Sequence, residues 1–572
     1  MKRITSALRA LNSIPPDENE FANWLELSDT VEFLKQNAED DEFVLFTQAP
    51  HLFIYAVLVP ELLLNPPDME DLMSWDCHPS QSWTTATTFS EPPRVSIERP
   101  LSYDRSKIIA QGEQLIFSRD FDGRTGEKND IEILQKLVHL MDLHFLPERR
   151  AYCRLNNLGD LEDVIRVTAK SSSSEEFDGT VVTMQRSTLD EYLALNGSAT
   201  VRVFDFTRFR PSHFGGWSHP ANLKKVIDGD LCYHKVVEPH HASYIRGFQI
   251  VRSTTLKTDI ARRYIGSERD SKQYISVVAY DWKNGIVEEI SLAPGKTANY
   301  FTKSELPYEM SPAFFRPEVL SKYKADSDKY RLGDRSISCR GGWHLQTYDI
   351  NEAGQVHTYL VYLKSLPYEE QLHWKAYNEP PKAPIAERAL KADFEGSWDI
   401  KIDSLNELKH LLLDLKRDGV PWWTLRSEKL IDQVNYPVTS SADEWSNEIL
   451  LLDQLVVEGF EEKYLRQQAS SFGRLPDQRL RSLQLVEECL NGLSYEEEQV
   501  KKLVAPFRGL HTLRSKLKGH ASGDSAVEIR KQVLTKYGTY QQHFQSMCGE
   551  CTDSIRAIAE AFKGLVPEDS PK

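Results

Sequence analysis

Apolar residues in the first two thirds of the chain alternate with polar residues over short runs, which is the two-residue period of a strand. The runs are rich in Val, Phe, Ile and Thr and are bounded by polar turn residues, a composition that favours strands. They span residues 42–48, 114–117, 180–185 and 201–206. Residues 131–145 instead follow the period of an amphipathic helix. This part of the chain is therefore predicted to be mixed α/β.

Two hairpins are predicted in the middle of the chain. Lys283, Asn284 and Gly285 separate apolar runs at residues 274–282 and 286–292. An Asn-Gly pair favours a tight turn because both residues tolerate positive φ. A longer loop at residues 351–354 separates two further runs, at 341–350 and 355–363, in the same way. Antiparallel strand pairs are therefore expected in both places.

From residue 441 onward the apolar period changes to three or four residues, which is typical of helices. Ser441 and Glu444 form a capping-box pattern at the start of the first helix. Its apolar face consists of Trp445, Ile449, Leu452, Val456 and Phe460. Four more amphipathic helices are predicted up to residue 562, with Pro506 kinking or interrupting the third. Five such helices joined by short loops predict an antiparallel bundle. The predicted fold class is α+β, with an N-terminal mixed α/β region that contains antiparallel hairpins and a C-terminal all-α bundle.

Changes of composition suggest where domains meet. Residues 171–176 read SSSSEE, a polar and flexible connection, and the clearest boundary is EPPKAP at residues 379–384. The predicted divisions are an N-terminal α/β domain at residues 1–170, a β-rich middle domain at 177–380, a connecting segment with a helix at 385–440, and the C-terminal helical bundle at 441–572.

Length and composition narrow the class of protein. A chain of 572 residues is too long to fold around a single hydrophobic core, so three or four domains are expected. The longest apolar run, residues 52–59, is shorter than the roughly 20 residues of a spanning helix, so no membrane partner is predicted. The opening residues carry no apolar segment of the secretory kind, and the seven scattered cysteines do not suggest a disulfide framework. We therefore expect a cytoplasmic protein.

One basic segment stands out on a chain whose formal net charge is −16. Residues 501–520, which we call the basic island, contain no Asp or Glu. The island carries Lys501, Lys502, Arg508, His511, Arg514, Lys516, Lys518 and His520. A local basic surface on an acidic protein predicts contact with a chosen polyanion. RNA is the expected partner, with Arg508, His511, Lys516 and Lys518 as the predicted RNA- and phosphate-binding residues.

Arg514 and His520 have the chemistry needed to cleave RNA. A guanidinium stays charged and binds phosphate through two hydrogen bonds, whereas an imidazole transfers protons near neutral pH. RNA supplies its own nucleophile, the 2′-hydroxyl, so cleavage requires proton transfer and positive charge beside the phosphorane. These two residues are the predicted catalytic pair, and neither a metal nor a cofactor is expected.

The sequence Arg514, SKLKG, His520 resembles the motif of the HEPN superfamily, which is Arg, four to six residues, then His. The resemblance implies a metal-independent endoribonuclease that is a homodimer through its C-terminal bundle, with two motifs facing each other. It implies that Arg514 binds the phosphate and the transition state and that His520 transfers the proton. A β-containing region before such a bundle is similar to anti-phage abortive-infection proteins. A phage-derived or regulatory trigger acting on the N-terminal region is therefore implied as well. Ser515 stands where many active members have Asn, Asp or His.

Other interpretations remain open from the sequence. The bundle could belong to a non-catalytic dimeric scaffold that binds nucleic acid or another ligand. The basic island could also be a solvated helix face, since cations are favourable near a helix C-terminus. A third possibility is a hydrolase site in residues 202–357, where Cys339, His344 and His357 lie around the second predicted hairpin.

Cys548 and Cys551 form a CxxC pattern, with His543 as a possible third zinc ligand. Cys551 lies on the apolar stripe of the last predicted helix, in register with Met547 and Ile555. A role in core packing is therefore favoured over metal binding.

Overall fold

Antiparallel strands dominate the first two thirds of the chain and helices the last third, so the fold class is α+β as predicted. The computed structural model describes residues 2–120, 129–168, 177–210, 214–217, 223–265, 272–397, 403–437, 441–519 and 524–563. The chain forms two compact units. Unit 1 comprises Met1–Asn156 and Leu161–Ser271, and unit 2 comprises Asn157–Asp160 and Lys272–Lys572.

Unit 1 contains seven described α-helices and fifteen described strands. The helices are α1 (Lys2–Asn12), α2 (Glu18–Leu25), α3 (Ser28–Glu39), α4 (Met69–Met73), α5 (Gln135–Leu140), α6 (Arg186–Asn196) and α7 (Lys257–Ile265). The strands are β1 (Glu42–Ala49), β2 (Leu52–Pro60), β3 (Thr84–Thr88), β4 (Arg94–Glu98), β5 (Glu113–Gln114), β6 (Ile116–Asp120), β7 (Asn129–Ile133), β8 (His144–Leu146), β9 (Ala151–Leu155), β10 (Leu161–Thr168), β11 (Thr180–Gln185), β12 (Ser198–Phe209), β13 (Lys224–Asp228), β14 (Leu231–Glu238) and β15 (Ala242–Val251).

Eleven of these strands form one antiparallel sheet in the order β13-β14-β15-β12-β2-β1-β11-β10-β9-β8, with β5 beside β2. The strand predictions at residues 42–48, 180–185 and 201–206 are confirmed by β1, β11 and β12. The domain boundary predicted between residues 170 and 177 is wrong. Strands β10 and β11 on either side of it pair directly, with Thr168 opposite Val181.

The helix predicted at residues 131–145 is also wrong for most of its length. Its first residues belong to β7, which pairs with β6 so that Ile131 lies opposite Ser118. Only the six residues of α5 are helical, and the segment ends in β8. Pairing of β7 with the preceding strand overrides the helical periodicity here, a common outcome for short apolar segments.

Unit 2 begins with short strands and ends with long helices. Its strands are β16 (Ser276–Asp281), β17 (Ile286–Ser291), β18 (Pro312–Phe315), β19 (Tyr330–Leu332), β20 (Ile337–Cys339), β21 (Trp343–Leu345), β22 (Asp349–Ile350), β23 (Val356–Tyr359) and β24 (Asn378–Glu379). Its helices are α8 (Ser321–Ala325), α9 (Leu360–Ser365), α10 (Tyr368–Ala376), α11 (Glu387–Asp393), α12 (Ser404–Arg417), α13 (Lys429–Gln433), α14 (Ala442–Val456), α15 (Glu462–Ser471), α16 (Ser482–Gly492), α17 (Glu497–Gly519), α18 (Asp524–Tyr537) and α19 (Tyr540–Phe562).

Both predicted hairpins are present. Strands β16 and β17 pair antiparallel around the turn that contains Gly285, whose φ of 70° is the left-handed conformation expected of an Asn-Gly turn. Strands β22 and β23 form the second hairpin, although only Asp349 and Ile350 of its first arm pair with β23. The first arm is shorter than predicted because residues 343–345 pair with β20 in a separate three-stranded sheet.

The C-terminal helices share one apolar core. The predicted cap at Ser441 is confirmed, since the Glu444 N–H donates to its hydroxyl at 3.3 Å. The first predicted helix divides into α14 and α15, and α17 continues through Pro506 without interruption. Helix α12 contributes Leu408 and Leu412 to the same core, although it was predicted to lie in a connecting segment. None of the described helices combines the length and the apolar character needed to span a membrane.

Candidate nucleic-acid interface

Packing of α14 against α17 brings Arg514 onto a buried carboxylate. Asp453 is fully buried on α14, and Arg514 Nη1 donates to its Oδ2 at 2.5 Å. The same nitrogen donates to Glu458 Oε1 at 2.7 Å. The hydrogen bond to Asp453 raises the pKa of Arg514 above its usual value. A buried carboxylate is tolerated only with such a partner, so this ion pair fixes the position of the guanidinium.

His511 lies one helical turn before Arg514 and shares its partner. Its Nδ1 atom is 3.3 Å from Asp453 Oδ1. Ser515 donates its hydroxyl proton to the His511 carbonyl at 2.9 Å and takes no part in the cluster. Asp453 therefore contacts two of the predicted RNA-contacting residues, His511 and Arg514. We call these three residues the Asp453 cluster.

The other predicted site residues are not part of the Asp453 cluster among the described residues. Arg508 pairs with Glu487 of α16 at 2.5 Å, and Lys516 is exposed without an ion pair among the described side chains. Lys518 lies in the last turn of α17, but its side chain is outside the described residues. His520, the predicted proton-transferring residue, also lies outside the described residues.

The basic island is less positive than its sequence indicates. It contains no acidic residue, yet three of its arginine and lysine side chains lie against carboxylates from elsewhere. Glu487 pairs with Arg508, and Glu497 pairs with Lys501 at 2.7 Å. Arg514 is shared by Asp453 and Glu458. Helix packing supplies the partners of Arg508 and Arg514, which the local sequence does not reveal, whereas Glu497 lies one turn before Lys501 on α17 itself. Part of the predicted surface is therefore neutralised.

A groove of about 760 Å³ adjoins the Asp453 cluster. Its charged lining comprises the cations Arg426, Lys463, Arg481, Arg508 and Arg514, together with His511 and the carboxylates Glu458, Glu461 and Glu462. The first three cations were missed from the sequence. They come from the loop after α12, from α15 and from the start of α16, so no local cluster of charge marks them.

The groove keeps donors for an incoming anion. Arg426 and Glu461 pair at 3.1 Å, whereas exposed Lys463 has no ion pair among the described side chains. Arg514 uses only Nη1 for its two carboxylates, and its Nε and Nη2 atoms donate to no described residue. Those two atoms form one edge of the guanidinium, the geometry that binds phosphate bidentately. The groove can therefore hold a phosphate against an arginine that is already oriented.

A second, smaller cavity of about 220 Å³ lies beside α12 in unit 2. Lys409 and Asp432 line it, and neither forms an ion pair among the described side chains. Asp403 at the same cavity accepts a hydrogen bond from the Tyr436 hydroxyl at 2.7 Å. Burial lowers the pKa of Lys409. The cavity thus presents one amine and one carboxylate that form no direct ion pair, although Asp432 and Asp403 lie close enough to act on the charge of Lys409.

The residues of the proposed hydrolase site do not assemble. Cys339 is buried and donates its thiol to the Leu158 carbonyl at 3.3 Å, and burial raises its pKa. His357 accepts from the Ala386 N–H at 3.0 Å, and burial lowers its pKa to about 4. His344 is exposed on a strand of a different sheet from His357. A nucleophile needs a base within hydrogen-bond reach, and these contacts indicate structural roles for both buried residues.

The CxxC residues Cys548 and Cys551 are fully buried in the bundle core, which confirms the packing interpretation. His543 is occupied by a hydrogen bond from Trp445 Nε1 to its Nδ1 at 3.3 Å. Among the described residues, no group of three or more His, Cys, Asp or Glu side chains could hold a metal ion.

Comparisons with known proteins add no assignment. No family model, curated protein or solved structure matches this chain. The functional interpretation therefore depends on the residues and contacts of the chain itself.

Proposed function

We propose that this chain is a metal-independent endoribonuclease of the HEPN type. In this proposal the C-terminal bundle cleaves RNA, and the N-terminal region senses a trigger or restrains the bundle. The observation that carries the proposal is the position of Arg514 in the groove. It is oriented by Asp453, and its Nε and Nη2 atoms donate to no described residue. The basic residues around it supply the sequence-independent attraction that RNA binding requires.

In this mechanism Arg514 binds the scissile phosphate and stabilises the negative charge that develops on the phosphorane. His520 takes the proton from the 2′-hydroxyl, the 2′-oxygen attacks phosphorus, and the bond from phosphorus to the 5′-oxygen breaks. The protonated His520 then gives this proton to the leaving 5′-oxygen. The products are a 2′,3′-cyclic phosphate and a 5′-hydroxyl, and no metal takes part in any step.

A second copy of the chain completes the proposed site. On a continuous helix, residues six positions apart would project about 120° from each other and would not meet at one phosphate. Helix α17 ends at Gly519, immediately before His520. Two bundles with facing motifs would place Arg514 of one copy and His520 of the other on one RNA strand.

The proposal is tested by RNA cleavage in EDTA. The wild type is compared with Arg514→Ala and His520→Ala on single-stranded and hairpin RNA, and Arg417→Ala is the matched control. Arg417 is an exposed arginine of α12 outside the groove, where it pairs with Asp414 at 2.9 Å. The wild type and the control should cleave, and the two site variants should lose at least 100-fold in rate, in the range seen for general acid-base catalysis. Equal rates for folded wild type and His520→Ala would overturn the proposal.

RNA binding provides a readout that does not require an activating trigger. Fluorescence anisotropy should show weaker binding for Arg514→Ala than for Arg417→Ala, whereas His520→Ala should bind almost as well as the wild type. Binding that is unaffected by Arg514→Ala would remove the phosphate-binding role of this arginine.

The cavity beside α12 favours a second candidate function, that of a ligand-binding scaffold. An amine and a carboxylate that form no direct ion pair, beside a volume of about 220 Å³, suit a small zwitterion. Thermal unfolding in the presence of individual α-amino acids tests this function. A rise in melting temperature with one of them, absent from Lys409→Met, would support it. No rise with any amino acid would exclude a zwitterion of this class.

A further inference from the structure

The hairpin formed by β3 and β4 presents an open strand edge. Thr84 lies opposite Glu98 and Thr88 opposite Arg94, and among the described strands β3 and β4 pair only with each other. One edge of β4 therefore has backbone N–H and C=O groups without strand partners. Such an edge is a template for pairing with another strand.

The side chains of β4 are unusually exposed for their type. Val95 is 68% exposed and Ile97 is 78% exposed, although both are apolar. They lie on one face of the hairpin because side chains two positions apart share a face of a strand. Arg94 forms no ion pair among the described residues, and Glu98 accepts a hydrogen bond only from Ser96, at 3.4 Å. The strand thus carries both apolar and charged groups that have no partner in its own copy.

The sequence of β4 is complementary to itself when one copy is reversed. The strand reads Arg-Val-Ser-Ile-Glu from residue 94 to residue 98. When two copies run antiparallel with Ser96 opposite Ser96, Arg94 of each copy faces Glu98 of the other. Val95 then faces Ile97 on the opposite face of the sheet. A shift of two residues would instead place Arg94 opposite Ser96, so only the centred register pairs both charges.

We propose that β4 is a homodimerisation strand, which pairs antiparallel with β4 of a second copy about a two-fold axis at Ser96. The product is a four-stranded sheet in the order β3-β4-β4-β3. Its two Arg-Glu pairs and its two Val-Ile pairs are cross-strand neighbours, which is the unit that stabilises antiparallel sheets. The contact is isologous, so taken by itself it closes at two copies. It lies in unit 1 and does not depend on the proposed nuclease activity of the bundle.

Disulfide trapping tests the register directly. In antiparallel pairs, directly opposed Cα atoms lie about 4.5–5.5 Å apart, within the range that a disulfide bridges. All seven native cysteines are buried and free, so an introduced thiol is the exposed one. Ser96→Cys should give a covalent dimer under mild oxidation. Thr84→Cys is the matched control, because it lies on the same face but on β3, and the two copies of Thr84 would be separated by three strand spacings, about 14 Å, across the sheet and by about four residues along it.

The expected result is a covalent dimer for folded Ser96→Cys that forms at least tenfold faster than for Thr84→Cys, with equal reactivity of both thiols toward a small reagent. Equal rates of cross-linking, or no dimer from Ser96→Cys, would overturn the proposal.

Charge reversal provides an independent test with a built-in rescue. Arg94→Glu places two carboxylates opposite each other in each pair and should weaken association measured by sedimentation velocity at least tenfold. The double variant Arg94→Glu/Glu98→Arg restores opposite charges and should recover the wild-type dissociation constant within about threefold. If the bundles also associate, the hairpin contact is detected as an increase in oligomer size beyond that of the bundle dimer. Failure of the double variant to recover would contradict the pairing.

Discussion

The Arg514 guanidinium and the fully buried Asp453 carboxylate are held 2.5 Å apart, although 61 positions separate them in the chain. This pair links the stability of the bundle to the orientation of the residue that we propose binds RNA. Both consequences can be measured.

Removing Arg514 should destabilise the bundle more than removing Asp453. Arg514→Met leaves a buried carboxylate without its cation, and the free energy of unfolding should fall by about 3 kcal/mol. Asp453→Asn leaves an arginine that is 29% exposed and still paired with Glu458, so the loss should be smaller. Urea denaturation measures both values. The double variant Asp453→Asn/Arg514→Met should be more stable than Arg514→Met alone, and strict additivity of the two losses would show that the pair is not coupled.

Arg208 is a second arginine with a structural role, in unit 1. It is fully buried on β12 and donates to both carboxylate oxygens of Asp29, at 2.8 and 2.9 Å. Arg208→Met should lower the free energy of unfolding by about 2 kcal/mol, chiefly because the carbonyls of Trp24 and Leu11 lose their donor, since the Asp29 carboxylate is 47% exposed and can be solvated. Arg417→Met, an exposed control, should change it by less than about 0.5 kcal/mol. Comparable losses for the two variants would contradict this contribution of Arg208.

His543 should make the stability of the bundle depend on pH. Burial lowers its pKa in the folded state from 6.5 to about 4, so the folded state keeps it neutral while the unfolded state binds a proton below pH 6.5. Stability is therefore retained above pH 6.5 and lost as the pH falls toward 4, by about 2 kcal/mol at pH 5. Denaturation at pH 7, 6 and 5 measures this loss.

His543→Gln is the control for that pH dependence, since glutamine also offers an acceptor to Trp445 but does not titrate. Its stability should fall less between pH 7 and pH 5 than that of the wild type. The same slope in both proteins would assign the pH dependence to other groups.

Lys463 tests the groove without disturbing the fold, because it is exposed and unpaired among the described side chains. Lys463→Ala should weaken RNA binding similarly for all sequences. The slope of log K against log salt should become shallower by about 0.7, the loss of one phosphate contact on a single strand. Arg417→Ala should leave both quantities unchanged. An unchanged salt slope for Lys463→Ala would place the RNA outside this groove.

The sequence was most informative where one periodicity extended over a whole element. Strand β11 begins and ends at the predicted residues, 180 and 185. Val181, Val182 and Met184 are all buried in the sheet. The first bundle helix was misjudged because its break depends on a distant tryptophan. A Cβ atom on Gly459 would lie 2.2 Å from Trp423 Nε1, and Phe460 bridges to the same tryptophan. This close approach accompanies the end of α14, and the only local sign of it in residues 441–473 is Gly459 itself.

The candidate site was predicted in part. The basic island indicated Arg514 and His511, because they are near in sequence and free of local acidic neighbours. Asp453 was not singled out, since it comes from another helix and lies among apolar residues of α14. Lys463 was missed for a similar reason, because it joins the groove only through helix packing. Local charge patterns reveal a surface, whereas its partners depend on tertiary contacts.

The ends of the RNA fragments provide the most direct test of the central claim. Mass spectrometry of products formed in EDTA should show 2′,3′-cyclic phosphates and 5′-hydroxyls for the wild type and for Arg417→Ala, and neither end for His520→Ala. Fragments that appear only with a divalent metal, or cyclic ends that persist in His520→Ala, would contradict internal attack promoted by this histidine.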